Sequence, residues 1–242
     1  MIPNLEKKHN NNLQNMISKY KKSFGGKKMN EEYLLTGNKS LDSFLKGGYK
    51  KGTLTEISGV TDSGKTLLAL QAIKELQKEG KNKLAIYIDT DYGLTNGMLE
   101  DNDIDQDGVI VLSSNYADSI GPVLSNIVKS HQEDIGIIIL DDLAKLTTTK
   151  EQSKPLIANT DIHRTTVVKG LLMRLANLVR NTDICCLIIN QERGNFTDEA
   201  NSNETVSSFE KWVNICCSTR LRLSIDEDGD SCVEVTFKEM KI

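Results

Sequence analysis

The chain has 242 residues, 38% hydrophobic and 26% charged, the composition of an ordinary globular protein with room for a sizeable core. Three prolines, 17 glycines and 5% aromatics exclude collagenous and low-complexity chains, and no uninterrupted apolar run approaches the ~20 residues that span a bilayer. The net charge of −4 is unevenly spread: residues 1–30 hold seven lysines and one glutamate, so a basic arm of +6 precedes a body of −10.

In that arm Leu13, Met16, Ile17, Tyr20 and Phe24 recur at helical spacing until Gly25 and Gly26 stop the pattern. One amphipathic helix is not stable alone, so its apolar face must bury against the body or against a neighbouring subunit. Residues 1–35 are therefore expected to form an N-terminal oligomerisation helix and linker, and 36–242 the main domain. The opening residues lack the apolar segment of a secretory signal, so a cytoplasmic protein with reduced cysteines is expected. The five cysteines (Cys185, Cys186, Cys216, Cys217 and Cys232) show no CxxC spacing and read as small core residues.

From Thr53 onward, apolar strand-like runs alternate with helical stretches, the pattern of a mostly parallel sheet covered by helices. Strands are predicted at Leu54 to Ser58, Leu84 to Asp89, Val109 to Leu112, Ile135 to Leu140 and Ile184 to Asn190. Helices are predicted at Lys65 to Lys78, Ile120 to Lys129 and Val167 to Arg180. The last segment reads differently: Arg220 to Ile225, an acidic turn over 226–230, and Cys232 to Phe237 predict an antiparallel hairpin at one edge.

The strongest chemical signal is Gly59-Val60-Thr61-Asp62-Ser63-Gly64-Lys65-Thr66, a complete G-x-x-x-x-G-K-T between a predicted strand and a predicted helix. Glycines let the backbone curl so that successive amides face a phosphate, and the helix that follows adds its positive end. ATP with Mg²⁺ is the expected ligand: Lys65 reaches the β and γ phosphates and the Thr66 hydroxyl ligates the cation. A strand ending in an acid should stand nearby to hold the magnesium, and Ile137 to Asp141 supplies one, with Asp142 as a spare acid. Hydrolysis also needs a base, and a second strand ends in Asp89-Thr90-Asp91, whose two acids share a face by alternation. A third strand ends in Asn190-Gln191, where an amide can sense the γ-phosphate.

Taken in order, these residues resemble the RecA recombinase family. The likeness runs from Met16 to Gly25 through Thr36 to Asp42, the phosphate loop, Ile88 to Asp91, Ile139 to Asp141, Ile189 to Gln191 and Arg220-Leu221. The resemblance implies an α/β core of the RecA-type phosphate-loop NTPase, with an N-terminal helix ahead of it. It further implies self-assembly into a helical filament or ring with ATP between subunits, DNA-dependent ATPase activity, and binding of single-stranded DNA in recombination and repair. By position it places Asp91 as the catalytic acid, Asp141 at the magnesium site and Gln191 as the γ-phosphate sensor. It also sends Lys238 and Lys241 to a neighbour's ATP. Asp91 is one methylene shorter than the family's Glu, which predicts slow hydrolysis. Nothing up to Ile242 matches the family's C-terminal domain.

Two candidate DNA-binding loops differ in charge. Residues 147–170 carry Lys150, Lys154, Arg164 and Lys169 against Glu151 and Asp161, a net charge of +2. Residues 192–211 carry Arg193 and Lys211 against five acids, a net charge of −3, with Phe209 and Glu210 where the family has paired glycines. Arg164, Lys169 and Arg193 are the expected phosphate contacts, and Phe196 and Ile162 the candidate wedges between bases. The competing expectations are a paralogue that binds nucleotide and a protein partner without strand exchange, and a hexameric helicase-type motor.

Overall fold

The computed structural model describes residues 33–80, 83–152, 161–194, 205–225 and 231–237. The N-terminal stripe, Phe196, Lys238 and Lys241 lie outside the described residues. In chain order the elements are β1 (Tyr33–Leu34), α1 (Lys39–Phe44), β2 (Tyr49–Lys50), β3 (Leu54–Gly59), α2 (Lys65–Lys78), β4 (Leu84–Asp89), α3 (Asn96–Asp101), β5 (Val109–Ser113), α4 (Ala117–His131), β6 (Ile135–Asp141), α5 (Thr149–Gln152), α6 (Asp161–Val179), β7 (Cys185–Gly194), β8 (Thr205–Ser207), α7 (Glu210–Cys216), β9 (Thr219–Ile225) and β10 (Ser231–Phe237).

The main sheet runs β10-β9-β3-β7-β6-β4-β5, with β8 paired to the end of β7. Every neighbour from β9 to β5 is parallel, while β10 pairs antiparallel with β9. The expected α/β class with an edge hairpin is therefore the observed one. A short antiparallel β1–β2 ribbon adds to the predicted elements; its strands, only two residues long, are too short to show a pattern in sequence.

Alternation along the strands fills two cores, one on each face of the sheet. Ala85, Tyr87, Ile137, Ile139, Leu187 and Ile189 face α1, α2 and α3. Ile86, Ile88, Ile138, Leu140, Cys186 and Ile188 face α4, α6 and α7. Four of the five cysteines fit the expected core role to differing degrees: Cys185, Cys186 and Cys217 are buried and Cys216 is half-buried. Burial pushes the Cys185 thiol up to about 12. Cys232 is a correction, because it lies exposed on β10, the edge strand of the sheet among the described residues.

Parallel order places the carboxyl ends of β3, β7, β6 and β4 along one edge of the sheet. In register, Gly59 stands beside Gln191 and Asp89 beside Asp141. The elements predicted to carry chemistry thus converge there, at the edge where open α/β sheets bind ligands.

Candidate nucleotide site

Gly59 ends β3 with φ +156°, and a Cβ there would come 2.4 Å from the Leu223 carbonyl oxygen and 2.6 Å from Ser63 Oγ. Glycine is needed because β9 leaves no space beside the strand. Beyond it the chain curls back on itself: Ser63 Oγ donates to the Val60 carbonyl at 2.9 Å, and Asp62 and Gly64 take left-handed φ of +62° and +90°. Gly64 caps α2 with no side-chain hydrogen bond, so the first-turn amides keep their positive end for an anion.

Lys65 folds over this curl, its Nζ donating to Val60 O at 2.5 Å and lying 3.5 Å from Ser63 Oγ. Burial lowers its ammonium's affinity for a proton, while Asp141 and Asp142 pull in the opposite direction. Thr66, one residue on, donates to Asp141 Oδ2 at 2.9 Å, and Tyr87 donates to the same oxygen at 2.5 Å. Burial raises the Asp141 carboxyl above its ordinary range against those two hydrogen bonds, with Asp142 and Asp91 adding like-charge repulsion. Burial and the Asp141 charge raise the Tyr87 phenol far above its usual value, so it acts as a donor.

Mg²⁺ takes hard oxygen ligands, of which the protein needs to supply only one or two beside water and phosphate. A hydroxyl and a carboxylate in contact, with two further acids in their field, fit that cation. Among the described residues no group of three or more His, Cys, Asp or Glu could hold a metal by itself, so phosphate oxygens would complete the shell.

The three other acids at this edge separate clearly. Asp89 is 3% exposed and accepts from the amides of Gly93 and Leu94, both at 3.1 Å, so it builds the turn after β4. Asp142 is buried and accepts from Lys145 N at 2.8 Å, capping a single 3₁₀ turn. Burial raises its carboxyl, and Asp91 adds to that rise. Asp91 is exposed and close enough to act electrostatically on both Asp141 and Asp142. The strand ends at Asp89, so alternation does not reach Asp91, which sits in the following bend.

Gln191 Nε2 donates to Thr61 Oγ1 at 2.6 Å, joining β7, which runs on past the predicted end at Asn190 to Gly194, to the phosphate loop. Beside it lie two ion pairs that sequence reasoning missed. Glu192 is buried and accepts from Ser58 Oγ at 3.0 Å and from Arg222 Nε at 3.0 Å and Nη2 at 3.1 Å. Glu56 is fully buried and accepts from Asn190 Nδ2 at 2.8 Å and Arg220 Nε at 2.5 Å. The available signal was a glutamate inside an apolar strand run, Leu54 to Ser58, which demands a buried partner.

Two of the expected DNA contacts, Arg164 and Lys169, sit on α6. Arg164 donates to the carbonyls of Leu146 at 2.6 Å and Ala144 at 2.7 Å and lies over the Phe209 ring at 5.4 Å. Lys169 Nζ lies 4.2 Å from the Trp212 ring centre, with Lys211 at 5.3 Å from the same ring. Trp212, unremarked in the sequence, therefore organises this cationic patch. Arg193 pairs through its backbone with Val206 across β7 and β8, and its side chain is outside the described residues. Ile162 is 85% exposed at the start of α6.

A strand, glycine-rich loop and helix, with a hydroxyl-acid pair at the end of another parallel strand of the same sheet, define an α/β core of the phosphate-loop type. The family model of the RecA N-terminal domain matches residues 11–234, and the chain belongs to the RecA family. It is 30% identical over 173 residues to Protein RecA of Mycoplasma genitalium, covering 70% of this chain and 49% of that protein. It is 30% identical over 195 residues to Protein RecA of Phytoplasma mali, covering 78% and 55%. With Protein RecA of Desulfotalea psychrophila identity is 28% over 247 residues, covering 95% and 66%. The chain thus spans about half to two-thirds of the length of these relatives.

Proposed function

We propose that the chain is a DNA-dependent ATPase that binds ATP with Mg²⁺, assembles with copies of itself into a filament or ring, and binds single-stranded DNA in cytoplasmic recombination and repair. The observation that carries this reading is the joining of the phosphate loop to two neighbouring strands, through Thr66 and Asp141 and through Thr61 and Gln191. The relatives' shared name, Protein RecA, supports it.

In this reading the amides from Gly59 to Thr66 cradle the phosphates, and Lys65 leaves Val60 O to meet the β and γ oxygens. Thr66 and Asp141 would hold magnesium, which would supply neutralisation of the phosphate charge. Asp91, the exposed acid, orients the attacking water. Gln191 trades its Thr61 contact for the γ-phosphate, so its position reports whether the nucleotide is ATP. The strand that carries it runs on through Arg193 to Gly194, which gives a route from nucleotide state toward the 192–211 segment. Lys238 and Lys241 reach the neighbour's nucleotide, and residues 1–35 form the assembly module that precedes the 36–242 core. No helix among the described residues is long and apolar enough to cross a membrane.

Arg164, Lys169, Arg193 and Phe196 contribute to the strand-binding face, with Lys169 and Trp212 as its centre among the described residues. The paralogue reading keeps the nucleotide and replaces DNA with a protein partner. It is favoured by the −3 charge of residues 192–211 and by the two carbonyl contacts that occupy Arg164. Fluorescence anisotropy with a labelled single strand at low salt, with ATP and Mg²⁺, decides between them. Binding that weakens steeply with salt supports the DNA reading. No binding by the assembled protein selects the paralogue.

A further inference from the structure

Tyr87 lies on β4 at a position that faces the core under α2, and its residue is buried to 1% exposure. A phenylalanine would fill that space equally well. The hydroxyl adds a desolvation cost that is recovered only if it finds a partner. It finds one in the acid of the cation site: Tyr87 OH donates to Asp141 Oδ2 at 2.5 Å, the oxygen that also accepts from Thr66 Oγ1 at 2.9 Å. Among the described residues, no hydrogen bond goes to Asp141 Oδ1. One carboxylate oxygen is thus pinned by two hydroxyls from different elements, β4 below and α2 above, while the other is left for a ligand.

The chemistry of the donor matters here. Asp141 stands in the field of Asp142 and Asp91, and without a partner its carboxylate would rotate or turn away from that charge. A lysine or arginine beneath it would hold the carboxylate but compete with a divalent cation for its charge. A neutral phenol fixes the orientation and leaves the negative charge available. We infer that Tyr87 is a positioning residue for the divalent cation, its hydroxyl holding Asp141 so that the free carboxylate oxygen serves the Mg²⁺ of the nucleotide complex. This inference rests on the nucleotide reading above and adds a residue that acts through Asp141.

The test uses the full chain with ADP and Mn²⁺, the bound metal being read by electron paramagnetic resonance. Outer-shell partners of metal ligands typically contribute 10–100-fold in affinity. Tyr87→Phe should weaken Mn²⁺ binding to the protein–ADP complex about tenfold, while ADP affinity in EDTA stays unchanged. Tyr49→Phe is the matched control, because Tyr49 is equally buried and its hydroxyl has no partner among the described residues. That variant should bind Mn²⁺ as the parent does. Unchanged Mn²⁺ affinity in Tyr87→Phe overturns the inference and leaves the nucleotide reading standing. Equal loss of metal-free ADP binding also overturns it, since the hydroxyl would then be supporting the fold alone. A parent protein that binds no Mn²⁺ with ADP removes the nucleotide reading, and the inference with it.

Discussion

Replacing Gly59 by alanine puts a methyl group where the structure has none to spare. Its Cβ would sit 2.4 Å from the Leu223 carbonyl oxygen and 2.6 Å from Ser63 Oγ. Ordinary contact is about 3.5 Å, so β3 and β9 must part by about 1 Å at the point where the phosphate loop begins. Overpacking of this kind costs about 1–3 kcal/mol, and an L residue held at that φ about 1–3 kcal/mol more. A sum of about 2–6 kcal/mol lowers the melting temperature of a domain this size by roughly 4–24 °C. Two further glycines separate the terms. Gly80 has φ +65° but nothing within 4 Å of its Cβ, so Gly80→Ala carries strain alone, about 1–2 kcal/mol. Gly170, within α6 and also unobstructed, should gain about 1 kcal/mol as alanine from helix propensity. Thermal melts followed by circular dichroism should rank the variants Gly170→Ala, parent, Gly80→Ala, Gly59→Ala. Should Gly59→Ala melt with the parent, or no lower than Gly80→Ala, the close packing of β9 against the phosphate loop is refuted.

Other consequences follow from the acids. Asp141 and Asp142 are both raised by burial, and a carboxyl raised on folding contributes stability that is full below the unfolded value of about 3.9 and is lost as pH rises through the folded one. Asp141→Asn should therefore melt close to the parent near pH 4 and above it at pH 7, by a few degrees, while losing Mg²⁺-dependent nucleotide affinity; a gap that closes with rising pH contradicts this sign. Asp91→Asn should bind ATP as the parent does and hydrolyse it at least tenfold more slowly in a steady-state phosphate-release assay; equal turnover would pass the role to Asp142, since Asp89 is committed to the amides of Gly93 and Leu94. Trp212 is the chain's single tryptophan, so its fluorescence should change when an oligonucleotide displaces Lys169 from the ring, and an unchanged spectrum under saturating DNA would remove this patch from the binding face.

How far the sequence could be read depended on whether a feature is local. The strands Leu84 to Asp89 and Ile135 to Leu140 are runs of apolar residues whose type alone selects a buried parallel sheet, and both match the observed elements closely. The phosphate loop is equally local, since spacing and flanks specify its geometry. What stayed hidden depends on partners distant in the chain. The roles of Asp89 and Asp91 diverge because a bend follows β4, and nothing in an Asp-Thr-Asp run announces which carboxylate will be taken by backbone amides. Arg164 read as a phosphate contact because it is a cation in a basic loop; the carbonyls of Ala144 and Leu146 meet it only once α6 packs beside the end of β6. Tyr87 falls inside the predicted strand Leu84 to Asp89, and only the register of β4 against β6 brings its hydroxyl to Asp141.

A Mg²⁺-dependent ATPase whose phosphate loop responds to single-stranded DNA is tested most directly by phosphate release from the full chain, measured with and without a single strand and alongside Lys65→Ala. The parent should hydrolyse ATP slowly, only with Mg²⁺ and faster with the single strand, and Lys65→Ala should show none above background. Hydrolysis by Lys65→Ala at the parent's rate, or a parent that neither binds nor turns over ATP with Mg²⁺, would contradict it.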